Sequence, residues 1–222
     1  MTMQNFSLAR TAMVVSQLEP SGIQAGPVRA AFADIPREMF VPDSLRGVCY
    51  LDNDVALGQG RFMLEPLVLA RMITALDIGA GARVLDVGCG FGYSSAVLAR
   101  LAVQVTALDS DEKMLHEAHK HWETLGIQNI SPILGELESG YEKNQPYDAI
   151  LINGAVAQPP DQLIRQLAAH GHLVCVVKPN ADAVGQVTLF KKDDRNRVMN
   201  HELFDAGSKY LKGFEPKVTF SF

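Results

Sequence analysis

The sequence predicts an α/β fold: a Rossmann-like, mainly parallel central sheet with helices on both faces. Beyond residue 80, short and nearly continuous runs of Val, Ile and Leu alternate with amphipathic helical patterns, which is typical of parallel strands joined by crossover helices. One run leads into a glycine-rich turn and a helix, an arrangement that places a ligand at the carboxyl ends of the strands. At 222 residues, 47% of them hydrophobic, the chain is long enough for one well-packed domain.

Residues 1–80 are predicted to form a helical N-terminal cap that ends in an acceptor loop. Apolar residues at helical spacing predict a helix from Phe6 to Leu18. Pro27, a residue favoured in the first turn of a helix, begins a second helix that stops before Pro36. The segment 36–42 lies between prolines and is predicted to be extended.

A loop is predicted to follow these helices. Residues 49–60 are rich in Asp, Asn and Gly, a composition that suits backbone placed close to a ligand. A helix follows Pro66, because apolar residues recur there on one helical stripe.

Residues 81–178 are predicted to form the cofactor-binding core, and residues 179–222 the edge of the sheet. The predicted core strands are 83–87, 103–108, 130–134, 149–152 and 172–177, and the predicted helices are 94–101, 111–125 and 161–169. After residue 179, apolar and polar residues alternate without intervening helices, which predicts antiparallel C-terminal edge strands. These alternating runs are 186–190, 197–203 and 217–222.

Composition excludes several classes of function. The net charge is −5 and the pI is near 5.7, so the chain has no excess positive charge to attract nucleic acid or an anionic membrane. No apolar run approaches the roughly 18 residues of a spanning helix, and the first residues show no signal-peptide pattern. Three widely separated cysteines predict reduced thiols. We expect a cytoplasmic protein that binds neither nucleic acid nor membranes.

The segment 84–93 carries the chemistry of a predicted cofactor site. A buried strand runs into Gly88, Gly90 and Gly92 and then into a helix, which directs backbone N–H groups towards a ligand. Glycines let a ligand approach the main chain closely, although glycines that serve only strand–helix packing give the same pattern. The third small residue of a nicotinamide-binding loop is due at Tyr93, so the spacing departs from that class.

Two acidic residues further restrict the class of ligand that this site is predicted to bind. Asp109 ends the next strand, 21 residues after Gly88, where a carboxylate accepts both hydroxyls of a ribose. Asp86 precedes the loop and is placed to orient the turn or to accept a hydrogen bond from a cationic amine of the ligand. The sequence therefore predicts a nucleoside-bearing ligand.

These acids and glycines resemble the cofactor site of S-adenosylmethionine-dependent methyltransferases, and most of the chain resembles the protein-L-isoaspartate O-methyltransferase family. The blocks that carry the second resemblance include Met13-Val14-x-x-Gln17-Leu18, Ile35-Pro36-Arg37-Glu38-x-Phe40-Val41-Pro42, Gly58-x-Gly60, Val84 to Tyr93, Leu125-Gly126-x-x-Asn129 and Pro146-Tyr147-Asp148-Ala149-Ile150. The resemblance implies an S-adenosylmethionine cofactor and methyl transfer to isoaspartyl residues of damaged proteins, a repair reaction. The cofactor residues that it implies are Asp86, Gly88, Gly90, Gly92, Asp109, Ser110, Gly135 and Glu136, where Glu136 takes the place of an Asp that reads the adenine.

The acceptor loop departs from the family pattern, so the sequence assigns no catalytic residue. The family carries Gly-x-Gly-Gln-Thr-Ile-Ser-x-Pro, and here Phe62 and Leu64 replace the Thr and the Ser, whose hydroxyls lie beside the methyl group and the acceptor. Arg61 is a candidate to hold a carboxylate bidentately, with a surface ion pair to Glu65 as the alternative. Arg61 and Leu64 are the predicted substrate-binding residues.

Three functions remain open from the sequence. The chain is predicted to methylate isoaspartyl residues in proteins or peptides, to methylate a different small or apolar acceptor, or to bind S-adenosylmethionine without catalysis. A metal site is not predicted. His116 and His119 share a helix face from which His121 is turned away, which indicates solvated helix surface rather than a ligand set.

Overall fold

A computed structural model describes residues 3–216, which contain a two-stranded hairpin and a seven-stranded sheet. The strands are β1 (Val55–Gly58), β2 (Arg61–Met63), β3 (Arg83–Val87), β4 (Gln104–Asp109), β5 (Ile130–Leu134), β6 (Tyr147–Val156), β7 (Leu167–Val177), β8 (Gln186–Lys192) and β9 (Val198–Asp205). The large sheet has the order β5-β4-β3-β6-β7-β8-β9. Strands β3 to β7 pair in parallel, and β8 and β9 add antiparallel pairs at one edge. The predicted fold class is confirmed.

Six α-helices accompany the strands in the described part of the chain. They are α1 (Met3–Met13), which continues into a π-helical turn (Val14–Leu18), α2 (Pro27–Asp34), α3 (Pro66–Ala75), α4 (Tyr93–Leu98), α5 (Glu112–Thr124) and α6 (Asp161–Arg165). Pro27 and Pro66 occupy the first turns of α2 and α3, where a proline loses no hydrogen bond. Within residues 3–216, no helix has both the length and the apolar character needed to cross a membrane.

Both faces of the sheet are covered by apolar packing. Neighbouring residues of β3, Val84 and Leu85, belong to different hydrophobic clusters, because successive side chains of a strand point to opposite faces. The cluster around Val84 includes residues of the N-terminal helices, and the cluster around Leu85 includes Leu163 of α6. Burial on both faces explains why the central strands have nearly continuous apolar sequences.

Three local predictions were wrong. Residues 36–42 are not fully extended, because Arg37–Phe40 forms a short 3-10 helix. Residues 49–60 are not only loop, because they contain β1. The helix predicted over 161–169 ends at Arg165, since Leu167 pairs with Tyr147 of β6 and begins β7. The predicted strand at 217–222 lies outside the described residues.

Candidate functional site

The three glycines of the predicted cofactor loop take left-handed backbone conformations directly after β3. Gly88, Gly90 and Gly92 have φ angles of 77°, 56° and 92°, a region that favours glycine. Helix α4 begins at the next residue, Tyr93. The backbone N–H of Gly88 donates to the carbonyl of Leu108 at 2.8 Å. The loop is thereby fixed at the carboxyl ends of β3 and β4.

Asp109, the last residue of β4, is buried beside this loop and accepts hydrogen bonds at both carboxylate oxygens. Its Oδ2 accepts from the backbone N–H of Gly90 at 2.7 Å and from Nη2 of Arg61 at 2.5 Å. Its Oδ1 accepts from the backbone N–H of Asp111 at 3.0 Å. The predicted ribose acceptor therefore lies against the glycine loop, and a guanidinium of the same chain is bound to it.

Arg61 reaches Asp109 because the β1–β2 hairpin (residues 55–63) folds inward. Gln59 and Gly60 connect the two strands with φ angles of 51° and 75°, as in the two-residue turns that match the twist of a hairpin. The Arg61 side chain is 3% exposed and that of Asp109 is fully buried. The surface ion pair with Glu65 is therefore not the arrangement that forms, because Arg61 pairs with Asp109 instead.

Side chains of the protein itself fill the space in front of the glycine loop. An ideal Cβ on Gly88 would lie 2.9 Å from Cδ1 of Leu211 and 3.1 Å from Nη2 of Arg61. A Cβ on Gly90 would lie 2.9 Å from Cδ1 of Leu57. The cavity that remains has a volume of about 10 Å³, roughly the space of one water molecule.

Leu211 reaches this loop from residues 206–214, called here the C-terminal segment. The segment runs along the carboxyl end of β6, where Ala155 donates to the carbonyl of Lys209 and accepts from the N–H of Leu211, both at 2.9 Å. Nothing in the sequence pattern pointed to a role for these residues. Two elements from outside the core of the sheet, the hairpin and the C-terminal segment, therefore cover the predicted cofactor site.

Asp86 ties three elements together behind the glycine loop. Its carboxylate accepts from the hydroxyls of Ser94 and Ser95 at the start of α4, at 2.7 and 2.5 Å, and from the side-chain amide of Asn153 in β6 at 2.6 Å. Burial raises the pKa of Asp86 to about 6. Of the two roles considered for Asp86, the structure supports orienting the turn, because its carboxylate oxygens accept hydrogen bonds from side chains of the protein itself.

The remaining predicted cofactor residues follow β4 and β5, which pair in parallel. Ser110 and Glu136 are exposed, and the backbone N–H of Gly135 donates to the carbonyl of Asp109 at 3.0 Å. Parallel pairing sets Asp109 opposite Leu134. The loops that follow β4 and β5 therefore lie side by side, at the same carboxyl ends of the strands as the glycine loop.

The acceptor loop (residues 58–66) carries apolar side chains at positions 62–64, and Arg37 donates a hydrogen bond to its backbone. Leu64 is buried, whereas Phe62 is partly exposed below the ammonium of Lys209, which lies 4.2 Å from the ring centroid. Arg37 is fully buried and donates to the carbonyls of Leu64 and Cys49 at 2.5 and 2.6 Å. Sequence reasoning gave Arg37 no role, although it lies in one of the blocks that carry the family resemblance.

Of the α5 histidines, His121 contacts the glycine loop at Phe91, and His119 lies beside Glu123 of its own helix. Nδ1 of His121 lies 3.2 Å from the carbonyl of Phe91, and Nε2 of His119 lies 3.4 Å from Glu123. Among residues 3–216, no cluster of His, Cys, Asp and Glu side chains is placed to hold a metal ion.

Comparison with known proteins identifies the family. The model of the family described as protein-L-isoaspartate(D-aspartate) O-methyltransferase matches residues 9–205. The chain belongs to this family. A protein-L-isoaspartate O-methyltransferase from Methylorubrum extorquens is 39% identical over 85% of this chain and 81% of its own length. A protein-L-isoaspartate O-methyltransferase 2 from Shewanella sediminis is 33% identical over 93% and 89%.

Solved structures share the fold of this methyltransferase family member. A structure named protein-L-isoaspartate O-methyltransferase superposes with a TM-score of 0.80 and 24% identity, covering 93% of this chain and 67% of its own. A Plasmodium falciparum structure in complex with S-adenosyl-L-homocysteine gives a TM-score of 0.74 at 20% identity, covering 93% and 98%.

The glycines and the carboxylate at this site match what S-adenosylmethionine, the cofactor of this methyltransferase family, requires. Glycines permit close approach at Gly88 and Gly90, and the carboxylate of Asp109 stands beside them, as a ribose diol requires. The space in front of these groups is filled by Arg61 and Leu211. A cofactor therefore fits the polar groups of the site but competes with side chains of the protein.

Proposed function

We propose that this chain transfers the methyl group of S-adenosylmethionine to the free carboxylate of isoaspartyl residues in damaged proteins, in the cytoplasm. The observation that carries the proposal is the family match over residues 9–205, which includes the glycine loop and the buried Asp109 beside it.

Gly88, Gly90 and Asp109 would hold the nucleoside part of the cofactor, with Ser110, Gly135 and Glu136 at the neighbouring loops. When bound, the cofactor supplies a methyl group activated by a positively charged sulfur. An ionised carboxylate is already nucleophilic, so the chain needs no general base and its task is to position the acceptor and to exclude water.

The acceptor side is proposed to work through Arg61, Phe62 and Leu64. A guanidinium holds a carboxylate with two parallel hydrogen bonds. The guanidinium of Arg61 becomes available for this contact once it separates from Asp109. The two apolar residues position the acceptor by contact rather than by hydrogen bonds. Each missing hydroxyl is expected to lower the rate by up to about 10²- to 10³-fold relative to a loop that carries it, the effect of one lost positioning donor.

A second acceptor class is favoured by the apolar character of the same loop. Phe62, Met63 and Leu64 all line the small cavity beside the glycine loop, and an apolar lining suits a small or apolar acceptor.

Transfer of labelled methyl to an isoaspartyl peptide and to its aspartyl twin tests the proposal. We expect label on the isoaspartyl peptide only, and a higher rate for Leu64→Ser, which returns a hydroxyl to the loop. Leu203→Ser, at an exposed position of β9, is the matched control and should leave the rate unchanged. Binding of S-adenosyl-L-homocysteine without transfer to either peptide would contradict the isoaspartyl proposal and favour an apolar acceptor.

A further inference from the structure

The carboxylate proposed to receive the ribose already has a cationic partner. Oδ2 of Asp109 accepts from Nη2 of Arg61 at 2.5 Å, and both side chains are almost completely buried. A buried ion pair is screened little by salt, and separating it leaves two charges without partners unless something replaces each contact. Ribose hydroxyls and the Arg61 guanidinium therefore compete for the same oxygen.

The element that carries Arg61 forms its strand pairs only within itself, although its side chains Val55, Leu57 and Met63 are buried in the core. β1 and β2 pair with each other in a separate two-stranded sheet, so moving the hairpin breaks no strand pairing of the large sheet. The other hairpin side chains near the glycine loop are apolar, because Leu57, Phe62 and Met63 line the same small cavity as the loop. The Arg61–Asp109 ion pair is thus the polar contact that fixes the hairpin over the loop.

We propose that Arg61 holds the cofactor site closed in the free protein, and that cofactor binding exchanges the Arg61–Asp109 ion pair for hydrogen bonds between Asp109 and the ribose. This inference rests on the proposed function and concerns the regulation of the same site. The exchange moves the hairpin outward and frees the guanidinium beside the acceptor loop. Apparent cofactor affinity is then the intrinsic affinity multiplied by the fraction of open molecules.

Calorimetric titration with S-adenosyl-L-homocysteine tests this exchange without any acceptor. We expect two variants, Arg61→Gln and Arg61→Ala, to bind S-adenosyl-L-homocysteine at least about tenfold more tightly than the wild type does. Arg61→Gln places the family's residue at this position. The factor of about ten is the one expected if the closed state of the wild type is favoured ten to one over the open state. The matched control is Arg100→Ala, which removes an exposed ion pair with Asp34 and should leave the dissociation constant unchanged.

The outcomes separate this inference from the proposed function. Equal or weaker binding by both Arg61 variants overturns the exchange while leaving cofactor use intact. Absence of binding by the wild type and by every variant overturns both. Tighter binding by the variants supports the exchange, whether or not methyl transfer to an isoaspartyl peptide is found.

Labelling of Cys89 gives a second readout that does not depend on the cofactor. This thiol is 5% exposed and lines the small cavity beneath the hairpin. The positive charge of Arg61 lowers the pKa of Cys89 against the larger effect of burial, so loss of the charge alone should slow alkylation. Faster alkylation of Cys89 in Arg61→Gln, measured by peptide mass spectrometry, would show that the hairpin opens more often, whereas slower or unchanged alkylation overturns the inference.

Discussion

Asp86 is a carboxylate with its charge enclosed in the protein interior, so its titration affects the stability of the fold. Burial raises its pKa to about 6, whereas an unfolded chain titrates an Asp near about 3.9. Between these pH values the folded protein holds a proton that the unfolded chain has lost. Unfolding then releases a proton, and the free energy of unfolding falls as the pH rises through this window.

We expect Asp86 to contribute a loss of about 2 kcal/mol in the free energy of unfolding between pH 4 and 6, because most of the proton release on unfolding falls within this window. Asp86→Asn removes the titration and keeps the shape of the side chain. Urea unfolding of both proteins from pH 4 to 7 measures the difference. Parallel pH profiles for the two proteins would contradict the prediction.

At this scale the sequence predicted where the glycine loop and Asp109 lie better than it predicted their partners. The glycine loop and Asp109 follow from a local order of strand, turn and strand, so spacing alone identifies them. The partner of Asp109 lies 48 residues earlier in the chain and depends on the direction in which a hairpin folds. Leu211 and Arg37 likewise act through contacts that no local pattern encodes.

At the scale of secondary-structure elements, the backbone of the glycine loop packs directly against the side chain of Trp122 in α5. Gly92 accepts a hydrogen bond from the indole N–H of the buried Trp122 at 2.9 Å, and a Cβ on Gly92 would lie 2.5 Å from a ring carbon of Trp122. The loop and the helix therefore fit only if residue 92 has no side chain.

Gly92→Ala should be far more destabilising than Gly126→Ala, although both residues have positive φ. Gly126, at 66°, has no atom within 4 Å of its Cβ position, so its substitution costs only the left-handed conformation, about 1 to 2 kcal/mol. Gly92→Ala adds overpacking against Trp122, typically about 1 to 3 kcal/mol more. Urea unfolding measures both losses, and equal losses would show that the helix yields to the methyl group.

The elements that the sequence misplaced are those decided by tertiary contacts. The hairpin was predicted as loop because residues 49–60 have a turn-like composition and its connection, Gln59-Gly60, is not a characteristic hairpin pair. Helix α6 was predicted too long because Leu167, Ala168 and Ala169 favour a helix, and pairing with β6 overrode that preference. Apolar runs, by contrast, identified β3 to β7 correctly, and alternating apolar and polar residues identified β8 and β9.

For the molecule as a whole, burial protects all three thiols. Cys49, Cys89 and Cys175 are buried, and burial raises the pKa of each, to about 11 for Cys49. A thiol reacts as the thiolate, so both exposure and ionisation are suppressed in the folded state.

We expect Ellman's reagent at pH 8 to label none of the three thiols rapidly in the native protein and all of them in concentrated urea. Cys89 should react before Cys175, because its thiol lines the small cavity beneath the hairpin whereas Cys175 is fully buried. Labelling followed with time, with peptide mapping, measures the order. Early reaction of Cys175, at the centre of the sheet, would contradict this account.

The C-terminal segment also orders events during synthesis. Ribosomes deliver the chain from the N-terminus, so the glycine loop at residues 88–92 and the hairpin that covers it are complete long before Leu211 emerges. Contacts so distant in sequence form late, because a long loop must close before they stabilise the chain. Until residues 206–214 have been made, the hairpin alone covers the glycine loop of a nascent chain.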